Sequence, residues 1–256
     1  MIRNQIAGAP GRAALLLGAV VATPSAALAD FKVHLPDAEA DEFEIESVGS
    51  YGSSSNPATD NEQSFVTELG YGVNNFWHTE VEFETERFPG PGNHLKFDQI
   101  TSENQFQFTE PGEYWIDSGW FWEYGQGLTK GNPSETTFGP TLRTEVFHTI
   151  DTVNLFFEKD FGATANGHLV FSYAWETRID LGTMIEPGFQ AYGTPGPIGK
   201  FSPISQQDHR IGPQLFANLG PVGPGSLKMD GGILFGLTPA EPRRTLRYQI
   251  EYELHF

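Results

Sequence analysis

The sequence predicts an all-β protein, a transmembrane antiparallel up-and-down β-barrel of about twelve strands. Apolar and polar residues alternate along most of the chain after residue 42, and turn residues interrupt this alternation roughly every ten positions. The alternating stretches are about 10–13 residues long, close to the ~9–11 tilted residues of a membrane-spanning strand. After the N-terminus, no stretch approaches the roughly 20 apolar residues that a membrane helix needs.

The clearest strand covers residues 76–88, FWHTEVEFETERF. Trp77, Val81 and Phe83 fall on one face, whereas Glu80 and Glu82 fall on the other, because successive side chains of a strand point to opposite faces. In a helix the same acids would be scattered around the axis. The last stretch repeats the pattern in residues 245–256, TLRYQIEYELHF.

The same pattern predicts the remaining strands. Their expected cores lie near residues 43–52, 63–73, 76–88, 94–109, 113–125, 137–147, 152–161, 167–181, 184–193, 208–218, 226–237 and 244–256. The connections after odd-numbered strands are mostly long and rich in Gly, Pro or polar residues, and those after even-numbered strands are mostly tight. Short periplasmic turns and longer external loops are the asymmetry expected of a bacterial barrel.

A soluble β-sandwich or a lipocalin-like barrel would show similar alternation. The number of strands with one bulky aromatic or aliphatic face favours the membrane, because the interior of a small closed barrel has little room for so many aromatic side chains. The chain contains 21 Phe, 5 Trp and 8 Tyr residues, more aromatic side chains than such an interior would hold.

The N-terminus has the pattern of a secretory signal peptide over residues 1–29. Arg3 and Arg12 are its charges, residues 13–22 form a short apolar core, and the Ala27-Leu28-Ala29 site precedes Asp30. The general secretory pathway is therefore the expected route. Residues 30–42 (DFKVHLPDAEADE) are acidic and irregular, which predicts a short periplasmic segment, either a tail or a partial plug.

Composition excludes several functions. The chain has no Cys, so disulfides, thiolate metal sites and Cys nucleophiles are absent. Its formal net charge is −18, and the part after the leader is more negative still because Arg3 and Arg12 are lost. A nucleic-acid partner is not expected, since binding phosphates requires a basic surface.

The last strand resembles the C-terminal signal by which bacterial outer-membrane barrels are recognised for insertion, in the residues Tyr248, Tyr252, Leu254 and Phe256. Four stretches resemble an uncharacterised proteobacterial outer-membrane family, and this resemblance implies a transporter: residues 154–162 (NLFFEKDFG), 186–193 (EPGFQAYG), 211–213 (IGP) and 236–239 (GLTP). These resemblances imply the outer membrane of a Gram-negative bacterium. They also imply contact with its lipid, its lipopolysaccharide and the barrel-assembly machinery.

Under the barrel interpretation, one set of polar residues faces the lumen. The predicted acidic ladder consists of His78, Glu80, Glu82, Glu84 and Glu86, with Glu44, Glu46, Glu251 and Glu253 joining it when the first strand pairs with the last. Crowded carboxylates attract cations, so the ladder favours a path for cationic solutes. Alternatively, basic residues neutralise the acids in a closed structural network, the expected partners being Lys96, Arg143, Arg178, Lys228 and Arg247.

Catalytic and metal motifs are not found. The seven histidines lack H-E-x-x-H spacing, no His has a Ser two positions later, and G-x-S-x-G does not occur. We therefore expect no enzyme, no cofactor and no metal site, with a lipid hydrolase as the least favoured alternative.

The sequence thus predicts a narrow passive channel or transporter for small solutes, formed by residues 43–256, with an acidic lumen that favours cationic ones. The alternative is a structural or partner-binding barrel whose lumen is closed by salt bridges.

Overall fold

The structure is a computed structural model that describes residues 31–129 and 132–256. The predicted leader, residues 1–29, lies outside this part. Twelve antiparallel strands form a closed barrel, in which β12 pairs with β1 and every other strand pairs with its neighbours in sequence. This confirms the predicted fold class. The described residues contain no helix that is long and apolar enough to cross a membrane.

The strands lie within four residues of their predicted bounds, and six are longer than predicted, five shorter and one of equal length. They are β1 Glu42–Ser53, β2 Glu62–Asn74, β3 Trp77–Arg87, β4 Lys96–Gln107, β5 Asp117–Gly127, β6 Ser134–Val146, β7 Thr149–Phe161, β8 Leu169–Ile179, β9 Ile185–Pro197, β10 Asp208–Val222, β11 Gly225–Gly236 and β12 Arg244–His255. A 3₁₀ turn, Ile204–Gln206, lies in the connection before β10.

The two faces of the barrel have opposite chemistry. Along β2, Phe65, Leu69 and Tyr71 are exposed on the outside, whereas Val66 and Glu68 are buried on the inside. Large apolar side chains are exposed on the outer face around the barrel, and most of the buried polar and charged side chains belong to inward-facing strand positions. A soluble protein has the reverse arrangement, so this exterior is that of a barrel surrounded by lipid.

Three predicted strand boundaries differ from the structure by four residues: the start of β5 and the ends of β9 and β10. The fifth strand was expected to begin at residue 113, but β5 begins at Asp117 and the preceding turn is longer than predicted. The reason is a local hydrogen-bond network: Gly112 N donates to Asp117 Oδ1 at 2.8 Å, and Ser118 N donates to Thr109 Oγ1 at 2.8 Å. These side-chain acceptors replace strand pairing, and Trp115 is left 83% exposed in the turn.

The residues before β1 enter the barrel. This N-terminal segment, residues 31–41, runs from the end that carries the β2–β3 turn, where Ala40 N donates to Asn75 Oδ1 at 3.1 Å, towards the middle of the lumen. Farther along, Ala38 N donates to Gln107 Oε1 at 2.8 Å. Of the two predicted alternatives, a tail and a partial plug, the structure shows a segment inside the lumen.

Candidate functional site

The lumen wall formed by β1–β5 and the edge of β12 is acidic. Glutamates stand directly opposite one another on adjacent strands at six places: Glu44 and Glu253, Glu46 and Glu251, Glu46 and Glu68, Glu68 and Glu82, Glu80 and Glu103, and Glu103 and Glu123. Like charges in such positions destabilise a sheet. A sequence that repeats this arrangement six times needs positive charge in the lumen to compensate for it.

The predicted acidic ladder lies on this wall. All five of its members are buried on the inner face of β3: His78, Glu80, Glu82, Glu84 and Glu86. Glu46 is buried beside them on β1, and Glu44 lies 3.9 Å from His78 Nε2. The same His78 nitrogen lies 3.2 Å from Glu80. The structure therefore brings these predicted residues together.

Lys32, in the N-terminal segment, supplies positive charge to the centre of the acidic wall. Its Nζ lies 3.2 Å from Glu46 and 3.1 Å from Glu80, and it is also hydrogen-bonded to Glu68. Burial by itself would lower the pKa of the Lys32 ammonium. The surrounding carboxylates outweigh burial and hold that pKa well above its ordinary value. Lys32 is thus a tethered cation held by three glutamates from three strands.

His34 fixes the segment against the neighbouring part of the wall. Its Nδ1 lies 3.2 Å from Glu103, and its ring centroid lies 4.2 Å from that of Phe121. Its backbone makes a reciprocal pair with Asn154: His34 N donates to Oδ1 at 2.8 Å, and Asn154 Nδ2 donates to His34 O at 2.8 Å. Asn154 is completely buried, so these two bonds satisfy both ends of its amide.

Phe31 reaches the opposite wall. Tyr192 on β9 donates its hydroxyl to Phe31 O at 2.5 Å, and the Arg210 guanidinium of β10 lies 4.7 Å from the Phe31 ring centroid. Together, the contacts of Phe31, Lys32 and His34 reach eight of the twelve strands. The segment thus crosses the lumen from the acidic wall to β9 and β10.

Two glycines of the wall make room for this segment. A Cβ at Gly72 would lie 1.6 Å from the carbonyl oxygen of Glu39, and one at Gly119 would lie 3.0 Å from Pro36 Cα. Asp41 N also donates to Gly72 O at 2.9 Å. The wall therefore fits the backbone of the segment at positions where any side chain would interfere.

The other wall, formed by β8–β12, carries most of the predicted basic partners. Arg178 is paired with Glu176. Arg247 is paired with Asp230, and its Nη1 donates to Gln190 at 2.7 Å. Lys228 Nζ lies 3.1 Å from Glu251. These cations neutralise acids of their own wall or at its border with β1.

Two predicted basic partners lie elsewhere. Lys96 is exposed at the start of β4, opposite Glu86 in register, and among the described residues it makes no ion pair within 4.0 Å. Arg143 makes no such ion pair there either, although its charge acts on Asp37 of the N-terminal segment. Lys96 begins its strand at the rim of the barrel, where a long side chain extends into solvent.

The residues that compensate the acidic wall, Lys32 and His34, were not predicted from the sequence. Lys32 and His34 alternate with the apolar residues Phe31, Val33 and Leu35 in an otherwise acidic segment, and this pattern was the available signal. Arg210 was missed as well: it lies 2.6 Å from Glu62 and is paired with Glu241, which links the ends of β10 and β2 with the β11–β12 loop.

The predicted insertion residues Tyr248 and Phe256 are exposed.

No protein-family model and no curated protein matches the chain. Among solved structures, the NanC porin matches with a TM-score of 0.53 and 8% identity over 83% of this chain and 100% of that one. Omp33 of Acinetobacter baumannii gives a TM-score of 0.40 with 9% identity over 87% and 100% of the two chains. CdiB of Escherichia coli gives 0.43 with 8% identity over 82% and 63%. The similarity to the NanC porin supports a porin-like barrel fold.

Proposed function

We propose that this chain is an exported outer-membrane barrel of a Gram-negative bacterium, whose lumen is a cation-preferring path closed by the N-terminal segment. The carrying observation is that the amino group of Lys32 is held by Glu46, Glu68 and Glu80 in the middle of the barrel. A primary ammonium bound to the chain occupies the place at which a mobile cation would be attracted.

The charge distribution supports selectivity for cations. On the β1–β5 wall, glutamates face one another across neighbouring strands, and on the opposite wall Arg178, Arg247 and Lys228 are each paired with acids. Release of the N-terminal segment would therefore expose a lumen with excess negative charge on one side. Cations would be concentrated there and anions repelled.

A structural barrel with a closed lumen is the second candidate. It is favoured by the contacts of Phe31, Lys32 and His34 with eight strands, which fill the centre of the barrel. The two candidates differ in one respect: the segment leaves its place in a channel and stays there in a structural barrel.

Conductance measurements distinguish them. The chain from residue 30 onwards and a variant lacking residues 31–41 are refolded in detergent and inserted into planar bilayers under a KCl gradient. We expect the intact barrel to be mostly closed and the shortened barrel to give current steps whose reversal potential shows cation preference. A shortened barrel that is folded and inserted but silent would contradict the channel and support the structural role.

Selectivity is tested in the shortened barrel. Changing Glu80, Glu82 and Glu84 to Gln should shift the reversal potential towards zero, because these charges line the wall. Changing the exposed acids Glu110 and Glu113 of the β4–β5 turn to Gln is the matched control and should shift it much less. Equal shifts in both variants would mean that the ladder does not determine selectivity.

Other parts of the proposal remain predictions. Recognition of Tyr248, Tyr252, Leu254 and Phe256 by the assembly machinery, and contact of the outer rim with lipopolysaccharide, belong to the same outer-membrane assignment. A lipid hydrolase stays the least favoured alternative: His209 is hydrogen-bonded to Tyr173 and Gln207, and not to a serine, in the described part of the chain.

A further inference from the structure

A small polar cavity lies in the acidic half of the lumen, and Lys32 is not among the residues that line it. Its volume is about 30 Å³, enough for roughly two water-sized particles. Carboxylates of β3, β5 and β6 line it, together with hydroxyl and amide side chains. They are Glu82, Glu84, Glu123, Glu135, Thr101, Thr137 and Gln99. His34 of the N-terminal segment closes one side.

Three carboxylates converge beside this cavity, and two of them, Glu82 and Glu123, also line it. Glu82, Glu103 and Glu123, on β3, β4 and β5, each place one oxygen so that all three oxygens lie within 4.8 Å of one another. Oxygens that share one Ca²⁺ at ~2.3–2.6 Å lie no more than about 5 Å apart, and these three oxygens meet that condition. Neighbouring strands in this register bring the residues together although they are far apart in the sequence.

Unsatisfied polar atoms indicate that the cavity is built for a ligand. Thr137 points into the lumen from β6 beside Glu123, is 1% exposed, and its hydroxyl has no hydrogen-bond partner among the described residues. Oε1 of Glu82 is equally buried and has no partner in the same part of the chain. Such buried atoms are costly unless something binds them, and a hydroxyl and a carboxylate oxygen both serve as ligands for a hard cation.

We propose that Glu82, Glu103 and Glu123, with Thr137 beside them, form a calcium site inside the barrel. The ligands are all oxygens, which selects hard cations over Zn²⁺ or Cu²⁺. Ca²⁺ accepts irregular sets of six to eight oxygens, whereas Mg²⁺ demands a near-ideal octahedron. Carboxylates fixed on three strands, completed by water and the Thr137 hydroxyl, match the calcium requirement.

The site does not depend on conduction. An ion here would neutralise the cross-strand repulsion between Glu103 and Glu123 in a barrel that is open or closed. It would also lie next to His34, which contacts Glu103 at 3.2 Å. The site departs from the expectation of no metal site, because its ligands come from separate strands and no local spacing in the sequence reveals them.

The test is isothermal titration of CaCl₂ and of MgCl₂ into the refolded barrel, residues 30–256, after removal of metals with a chelator. We expect one Ca²⁺ per chain, bound at least tenfold more tightly than Mg²⁺. Glu82→Gln and Glu123→Gln should each weaken Ca²⁺ binding at least tenfold. Glu176→Gln is the matched control: this buried lumen acid is paired with Arg178 outside the cluster, and its loss should leave the Ca²⁺ affinity unchanged.

The melting temperature measured with and without Ca²⁺ gives an independent readout. It should rise with Ca²⁺ in the unchanged barrel and in Glu176→Gln, and stay constant in Glu82→Gln. Absence of Ca²⁺ binding in the unchanged, folded barrel would overturn the proposal, and so would a preference for Mg²⁺ or full affinity in both cluster variants. The conductance result and this result are independent, so failure of the channel is distinguishable from failure of the calcium site.

Discussion

Replacing Lys32 with Met should release the N-terminal segment and open the barrel. Met preserves most of the length and apolar character of the side chain and removes only its charge. In the docked state, Glu46, Glu68 and Glu80 would then be left without the ammonium, while each is at most 3% exposed. Because the Lys32 side chain is buried, solvent compensates poorly for the loss of its positive charge.

The magnitude follows from the cost of breaking a buried ion pair. Removal of one partner typically costs about 3–5 kcal/mol, because the other charge stays buried and uncompensated. At ~1.4 kcal/mol for each factor of ten, docking should weaken by roughly two to three and a half orders of magnitude.

The assay is the open probability of single barrels in planar bilayers. Lys32→Met should be open for a much larger fraction of the time than the unchanged barrel, and should approach the variant that lacks residues 31–41. Lys200→Met, in the exposed loop before β10, removes one positive charge at the rim and is the matched control. Its open probability should not change.

One result would refute the reasoning. If the shortened barrel conducts while Lys32→Met remains as closed as the unchanged barrel, the Lys32 charge does not hold the segment. The contacts of Phe31 and His34 would then be the main attachment. Resistance of residues 31–41 to proteolysis in detergent would support that outcome independently.

Three further predictions concern the same barrel. The carboxylates around docked Lys32 raise its pKa, so the contribution of Lys32 to docking is fully present below the ordinary lysine pKa of about 10.4. That contribution is lost as the pH rises through the higher pKa of the docked state. Deprotonation of Lys32 should therefore not weaken closure between about pH 7 and 9, whereas open probability should rise at strongly alkaline pH. Gly72→Ala should also raise open probability, since its Cβ would collide with the Glu39 carbonyl oxygen. Arg247→Met leaves Asp230 buried without its partner and should lower the free energy of unfolding in urea by about 3–5 kcal/mol.

Each of these has a control. Lys32→Arg keeps its charge at alkaline pH, so this variant should stay closed where the unchanged barrel opens. Gly231→Ala places its Cβ no closer than 3.1 Å to a neighbour and should leave open probability near that of the unchanged barrel. Arg244→Met changes an exposed residue of β12, for which a stability change within about 0.5 kcal/mol is expected. Equal effects in a variant and its control would contradict the corresponding explanation.

The strands and their faces were predictable because they depend on a local pattern. A period of two is visible within any ten residues, and it assigns Leu69 and Tyr71 to the outside and Glu68 to the inside without knowledge of distant residues. Antiparallel neighbours joined by short turns then determine the strand order, and pairing of the first with the last strand follows from closure. The turn at residues 108–116 was mispredicted because its hydrogen bonds use side chains.

The candidate site depended on tertiary structure. Whether Glu103 meets Glu80 and Glu123, or other residues of the same strands, depends on the register between strands, which the alternation alone does not determine. The position of Lys32 depends on the space left inside the closed barrel and on glycines such as Gly72 that admit its backbone. The sequence by itself therefore determined a barrel with an acidic interior. Only the closed structure decided that a lysine from the chain's own N-terminal segment occupies that interior, because charge compensation in a lumen is a property of all the walls together.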